Sequence, residues 1–224
     1  MRVVFDLDGT LVDSTPDLLA AINQVLGTHH LELSNREENQ RLAGHGLHTM
    51  FASTIRARVP DWEESKQQAL VSEILDQYST HPARYTVAYQ GITEMLETLQ
   101  KQHIELCIIS NKLSSLTKQV LATIFPSISF LTVYGSDSGF PLKPDPTSLK
   151  RCMLGMQADE SLIFVGDTEV DYETAKGTAD AVYLATWGYR NKQALLSYGI
   201  HEDLLLESPM HLVRMVALHK ERKE

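Results

Sequence analysis

Val3-Val4-Phe5-Asp6-Leu7-Asp8-Gly9-Thr10-Leu11-Val12-Asp13-Ser14 decides how the chain is read. Val3 to Phe5 is a short, unbroken apolar run of the kind that forms a strand buried on both faces. Two carboxylates two residues apart directly after such a run are costly unless a partner or a metal holds them. Gly9 then lets the backbone turn or approach a ligand closely. The stretch predicts a strand that delivers Asp6 and Asp8 to the carboxyl edge of a sheet, where open α/β folds bind their ligands.

Downstream, the periodicity changes twice. From Asp17 the apolar spacing is helical: Leu18, Ile22, Val25 and Leu26 share one face, and Ser14 or Thr15 with Pro16 makes a helix start. Met50, Phe51 and Ile55 predict a second helix. Leu70, Ile74, Leu75 and Tyr78 predict a third, bounded by His81-Pro82. Residues 15–86 hold no convincing strand, so they read as a helical insert. After it, strands alternate with amphipathic helices. The strands are Leu106 to Ile109, Ile128 to Tyr134, Leu162 to Val165 and Ala181 to Leu184. Helices are expected around Ile92 to Leu99, Leu113 to Ile124 and Leu149 to Met156, then after the strand Leu162 to Val165 through about Thr178, and from Ser208-Pro209 to Lys223. Such alternation implies a parallel sheet covered on both faces, an α/β doubly wound, Rossmann-like core. The expected division is core over 1–14 and 87–224, with a helical cap over 15–86.

With 224 residues, 43% hydrophobic and 22% charged, the chain is long enough for one large domain or a domain with a satellite. A net charge of -9 argues against nonspecific binding to nucleic acid or anionic membrane. It leaves room for a small anionic substrate, because local cations and a metal can reverse the field within a cleft. Cys107 and Cys152 are too few for a disulfide scaffold, and Cys107 reads as a small buried hydrophobe. The first strand starts almost at Met1, and no apolar run approaches a membrane span, so a cytoplasmic protein is expected. Monomer and homodimer are both open.

Four strand ends carry polar residues that packing does not require: Asp6-x-Asp8, Ser110-Asn111-Lys112, Lys143-Pro144 and Gly166-Asp167-Thr168-Glu169-Val170-Asp171. A parallel sheet would project all four into one crevice. Together they offer a nucleophile, a proton donor, cations for phosphoryl oxygens and carboxylates for a hard metal, the requirements of phosphoryl transfer. Mg²⁺ takes one or two carboxylates with carbonyl, water and phosphate oxygens, which suits Asp6, Asp167 and a backbone carbonyl.

These four segments, in this order and spacing, resemble the four motifs of the haloacid dehalogenase-like superfamily, and within it the phosphoglycolate phosphatase-like group. The likeness covers nearly the whole chain, and the insert resembles that group's helical cap. It implies that Asp6 is the nucleophile forming an aspartyl-phosphate. Asp8 would protonate the leaving alcohol, activate water and bind Mg²⁺ through its carbonyl. Ser110 and its neighbours would hold phosphoryl oxygens, with Asn111 close by and Lys112 at the substrate end. Lys143 would neutralise charge on Asp6 and the phosphate. Asp167 would bind Mg²⁺ directly, and Asp171 would act through water or by orienting Lys143. An acid at position 8 favours phosphate chemistry, since halide-displacing members lack it.

Each piece alone has a plainer reading. Asp-x-Asp is often a loop pair, Lys143-Pro144-Asp145-Pro146 a rigid exposed loop, and Gly166-Asp167-Thr168 a turn with a helix cap. Their conjunction is what those readings do not explain. In the insert, Gly44-His45-Gly46 makes His45 a candidate substrate contact, balanced by a surface turn. His45 and His48 lack a third metal ligand. Arg41, Arg56 and Arg58 could reach a substrate carboxylate or face solvent. Trp187-Gly188-Tyr189 reads mainly as packing. Two departures from the family pattern, Gln90-Gly91 and Ala179-Asp180, bear on loops rather than chemistry. The expectation is a Mg²⁺-dependent phosphatase of a small phosphomonoester, 2-phosphoglycolate first. A sugar phosphomutase, a pyrophosphatase and a non-catalytic phospho-ligand sensor are the alternatives.

Overall fold

The computed structural model describes residues 1–221. Its centre is β1 (Arg2–Phe5), fully buried as the apolar run requires. The chain then makes a two-residue strand, β2 (Val12–Asp13), and enters four helices: α1 (Thr15–Thr28), α2 (Arg36–Leu42), α3 (Leu47–Arg58) and α4 (Glu64–Thr80). It returns through β3 (Val87–Ala88), which pairs antiparallel with β2. The alternating part follows: α5 (Ile92–Lys101), β4 (Glu105–Ile109), α6 (Ser114–Ile124), β5 (Thr132–Tyr134), α7 (Thr147–Cys152), β6 (Leu162–Gly166) and α8 (Glu169–Ala175). Next come β7 (Ala181–Ala185), α9 (Lys192–Ser197), a 3-10 turn (Glu202–Leu204), β8 (Leu205–Leu206) and α10 (Pro209–Glu221).

Six strands form one parallel sheet in the order β5-β4-β1-β6-β7-β8. Side chains alternate across it. Val3 and Phe5 face a core shared with α5, α6 and α10, whereas Val4 joins Cys107, Phe164 and Leu184 on the other face. This is the doubly wound arrangement expected. The order reverses beside β1, so the carboxyl ends of β1, β4 and β6 open into the crevice where such folds bind ligands.

The helices between β2 and β3 have their own apolar core, built on Ile22, Leu26, Phe51, Ile55, Leu70 and Ile74. Asp17 ties the way in to the way out. Its carboxylate accepts hydrogen bonds from the amides of Tyr85 and Thr86 and from the Thr86 hydroxyl at 2.7–3.0 Å.

Several expectations shift. The strand expected over Ile128 to Tyr134 shortens to Thr132–Tyr134, because only these residues pair with β4; Ile128 and Phe130 instead pack on the core from an irregular stretch. The helix expected through Thr178 stops at Ala175, where the chain turns through Gly177 at φ 72°. Ser14 precedes α1 as expected, but its hydroxyl is drawn to Asp8 and does not cap the helix. Arg222 and Lys223, expected at the end of the last helix, lie outside the described residues. Cys107 and Cys152 are both buried and free. Among the described residues, no helix is long and apolar enough to cross a membrane.

Candidate active site

The ends of β1, β4 and β6 and the loop after β5 bring the predicted residues together. Asp6 is 7% exposed, Ser110 5%, Lys143 5% and Asp167 0%. The Lys143 ammonium lies 2.8 Å from Asp6 Oδ1 and 2.6 Å from Asp171 Oδ1, bridging two carboxylates. The other oxygen of Asp171 accepts from the amides of Asp167 and Thr168 and from the Thr168 hydroxyl at 2.8–3.1 Å. Asp171 therefore begins α8 and orients Lys143 with the same side chain. Burial disfavours the charged form of a lysine, but Asp171 and Asp6 outweigh it and keep Lys143 charged.

Asp6, Asp167 and Asp171 each offer an oxygen within 4.8 Å of the others. Burial, offset in part by Lys143 and reinforced by Asp171, pushes Asp6 up to about 7. Burial and the neighbouring Asp171 and Asp6 raise Asp167 well above the ordinary carboxylate value. Among the described residues, Asp6, Asp8, Asp167 and Asp171 pair with two ammonium groups, Lys112 and Lys143, so ionising all four would leave two negative charges uncompensated. A divalent cation has the charge, and oxygen-only donors the hardness, to complete such a site.

Asp167 is held from three sides. Thr10 Oγ1 donates to its Oδ1 at 2.9 Å, and the amide of Tyr189 donates to its Oδ2 at 2.8 Å. Gly9, at φ 89°, leaves space for it: a Cβ there would sit 2.3 Å from Asp167 Oδ2. Gly188 plays the same part from the far side, where a Cβ would meet Gly9 O at 2.3 Å and Asp167 Cβ at 2.5 Å. Trp187 Nε1 donates to Thr10 O at 3.0 Å. The stretch expected to serve packing thus also braces the buried acid. It follows the end of β7 but carries no charged residue to mark it, and its role depends on β7 lying beside β6.

Asp8 has different neighbours. Lys112 Nζ is 2.7 Å from its Oδ1, and the Ser14 hydroxyl donates to that oxygen at 2.5 Å. Lys112 is 2% exposed and lies over the Tyr78 ring, 5.2 Å from its centroid. Burial opposes its charge, yet Asp8 and Tyr78 more than restore it. Tyr78 comes from α4, where its spacing in the sequence marks only a helix.

Asn111 braces two loops. It donates to Gly44 O at 2.9 Å and Lys143 O at 3.0 Å, and accepts from the Lys143 amide at 2.9 Å. Gly44 and Gly46 therefore border the cleft, together with Leu18, Leu47 and Met50. The His45 side chain lines an adjacent pocket with His48, Leu75 and Leu142, apart from the four carboxylates. Arg58 is engaged by Glu38 at 2.8 Å within the insert, and Arg41 and Arg56 are exposed. Arg190, unmarked by any sequence signal, pairs with Glu169 at 3.0 Å and donates to Gln40 O at 2.7 Å, linking core to insert.

Comparison with known proteins agrees with this geometry. The model of the haloacid dehalogenase-like hydrolase family matches residues 3–183. The chain is 30% identical over 222 residues to a phosphoglycolate phosphatase of Aquifex aeolicus, covering 98% of each chain. It is 29% identical over 215 residues to a phosphoglycolate phosphatase of Cereibacter sphaeroides, covering 94% of this chain and 98% of that one. Among solved structures, one titled a predicted phosphoglycolate phosphatase from Haemophilus somnus superposes with a TM-score of 0.86 at 22% identity, covering 96% of this chain and 97% of that one. The acid-rich crevice, the family match and the full-length relatives agree: this chain belongs to the haloacid dehalogenase-like hydrolase family.

Proposed function

We propose that this phosphoric monoester hydrolase acts on a small phosphomonoester, with 2-phosphoglycolate as the leading substrate, through an aspartyl-phosphate at Asp6. The observation that carries the proposal is the buried Asp6–Lys143–Asp171 bridge beside Asp167 at the sheet's carboxyl edge. The phosphoglycolate phosphatases to which the chain is similar along almost its whole length support the choice of substrate.

Residues Asp6, Asp167 and the Asp8 carbonyl would hold Mg²⁺, with Asp171 behind them through water. When bound, the ion supplies Lewis-acid charge neutralisation, letting one anion approach another. The chain's own residues do the rest. An Asp6 oxygen attacks phosphorus, and the bond to the leaving oxygen breaks as Asp8 gives that oxygen a proton. Asp8 then takes a proton from water, whose oxygen attacks the phosphoryl group and restores Asp6. Lys143 balances charge on Asp6 and the phosphoryl oxygens. The Ser110 hydroxyl and nearby amides donate to those oxygens, and Asn111 keeps the Lys143 loop in register. Residues 15–86 act as a cap that excludes bulk water and frames the leaving group.

Phosphate release is the test, measured over 2-phosphoglycolate, sugar phosphates, nucleotides and pyrophosphate with and without Mg²⁺. The expected result is Mg²⁺-dependent release, with 2-phosphoglycolate ~100-fold or more above the rest in kcat/KM, roughly 2.7 kcal/mol of transition-state binding. Isomerised sugar phosphate in place of free phosphate would establish a mutase. No turnover of any ester would establish a sensor.

A further inference from the structure

Two cations border the cleft among the described residues, Lys143 and Lys112, and they are committed very differently. Lys143 is shared between two carboxylates. Lys112 has one ion-pair partner, Asp8, and lies over the Tyr78 ring, so the pair with Asp8 does not use all three of its N–H donors. No lysine or arginine of residues 15–86 lines the cleft. Arg58 is held by Glu38 and Arg36 by Asp13 at 2.5 Å, while Arg41 and Arg56 are exposed. The wall opposite is apolar, formed by Leu18, Leu47 and Met50. Such a wall gives no hydrogen bonds to the hydroxyls of a sugar.

We infer that Lys112 determines specificity by binding an anionic group on the leaving alcohol, so that the cleft selects phosphomonoesters whose phosphate and carboxylate are joined by a short apolar link. This rests on the phosphatase reading above and extends it. Asp8 holds the buried ammonium in the lining of the cleft, beside the position that the leaving oxygen must take if Asp8 protonates it. A carboxylate one carbon beyond that oxygen meets Lys112, and a longer polyol meets Leu47 and Met50. Tyr78 supports the ammonium from α4, so the insert contributes to this selection without presenting a cation of its own.

The test compares matched esters that differ only in the anion: 2-phosphoglycolate against ethyl phosphate, for the wild type, K112M and K112R, with kcat and KM separated. The wild type is expected to favour 2-phosphoglycolate by roughly 10- to 100-fold or more in kcat/KM, the range for one desolvated charge-assisted contact. In K112M that ratio falls to within about threefold of unity, even though both rates drop as Asp8 loses its partner. K112R keeps the charge but alters the donor geometry, so its ratio shifts several-fold and keeps the same direction, which holds the test open should K112M not fold. Equal losses on both esters in K112M, or an unchanged ratio in K112R, would reduce Lys112 to a positioning residue for Asp8 and overturn the inference. A wild type that hydrolyses both esters equally overturns it while leaving the phosphatase intact. Release from neither ester overturns both.

Discussion

Gly188→Ala tests whether the loop after β7 fixes the buried acid. A Cβ at this position would lie 2.3 Å from Gly9 O, 2.5 Å from Asp167 Cβ and 2.6 Å from Asp167 Oδ2. Real Cβ contacts essentially never fall below 3.0 Å, so the neighbours must give by about 0.7 Å at least. None can do so freely. Gly9 O belongs to the backbone of the loop after β1, and Asp167 is already held by Thr10 and by the amide of Tyr189. Overpacking of this kind costs ~1–3 kcal/mol, and in a chain of this length each kcal/mol lowers Tm by roughly 2–4 °C. The kinetic effect is expected to be larger. A displacement approaching 1 Å in a reacting constellation costs about 100-fold in rate, and weakening a ligand's support raises the metal requirement ~10- to 100-fold. Thermal unfolding, kcat/KM and a Mg²⁺ titration would be measured together. The expected pattern is a modest fall in Tm with a disproportionate loss of activity that excess Mg²⁺ partly restores. An alanine enzyme within twofold of the wild type in all three would refute the claim that this approach holds Asp167 in place.

Asp6→Asn should lower phosphate release by ~10³-fold or more while far-ultraviolet circular dichroism stays unchanged, since the amide removes the nucleophile but fills the same space; a variant within tenfold of wild type would remove Asp6 from that role. In the metal-free protein, burial lifts Asp6 from its ordinary 3.8 to about 7, so the folded state binds protons that the unfolded state has released. Stability therefore falls as pH rises through that window. Asp6 alone accounts for about 1 kcal/mol between pH 6 and 8, roughly 2–4 °C in Tm. Chelator-treated protein should melt lower at pH 8 than at pH 6, with Mg²⁺ narrowing the gap; an increase in Tm with pH would contradict the assignment. Arg190→Ala removes the donor to Gln40 O and the weaker contacts at 3.4–3.5 Å to Arg41 O and Ala43 O. Amide exchange across residues 40–46 should quicken ~10-fold or more while the sheet's protection is kept, and unchanged exchange there would show that the link holds nothing.

The sequence made the crevice legible because its chemistry sits at strand ends. Val3 to Phe5, Leu106 to Ile109 and Leu162 to Val165 are apolar runs followed at once by polar residues, and a parallel sheet leaves such ends only one place to converge. Roles that need a tertiary neighbour were invisible. Ser14 reads as a helix start, yet its hydroxyl goes to Asp8; Tyr78 reads only as part of a helix, yet it underlies Lys112. Arg36–Leu42 carries no apolar stripe and buries only Asn39, so periodicity could not mark it as a helix. The two-residue strands β2, β3 and β8 exist through their pairing partners and have no period of their own.

The register of β1 has a consequence for how the protein is made. Arg2 pairs with Glu105 on one side and Leu162 on the other. β1 is therefore made before both of its neighbours in the sheet and is satisfied only when the later one, β6, has been made. At translation speeds of ~5–20 residues per second, the interval before β6 is synthesised is roughly 8–30 s. During it, Val3, Val4 and Phe5 have at most β4 for a partner and lack β6, while the helices of residues 15–80 have everything needed for most of their own apolar cluster. The nascent chain should thus order the insert first and close the sheet around β1 late. The Asp6–Lys143–Asp171 bridge can form only after that closure, so the Asp6 carboxylate does not gain both partners until the chain has been synthesised past residue 171.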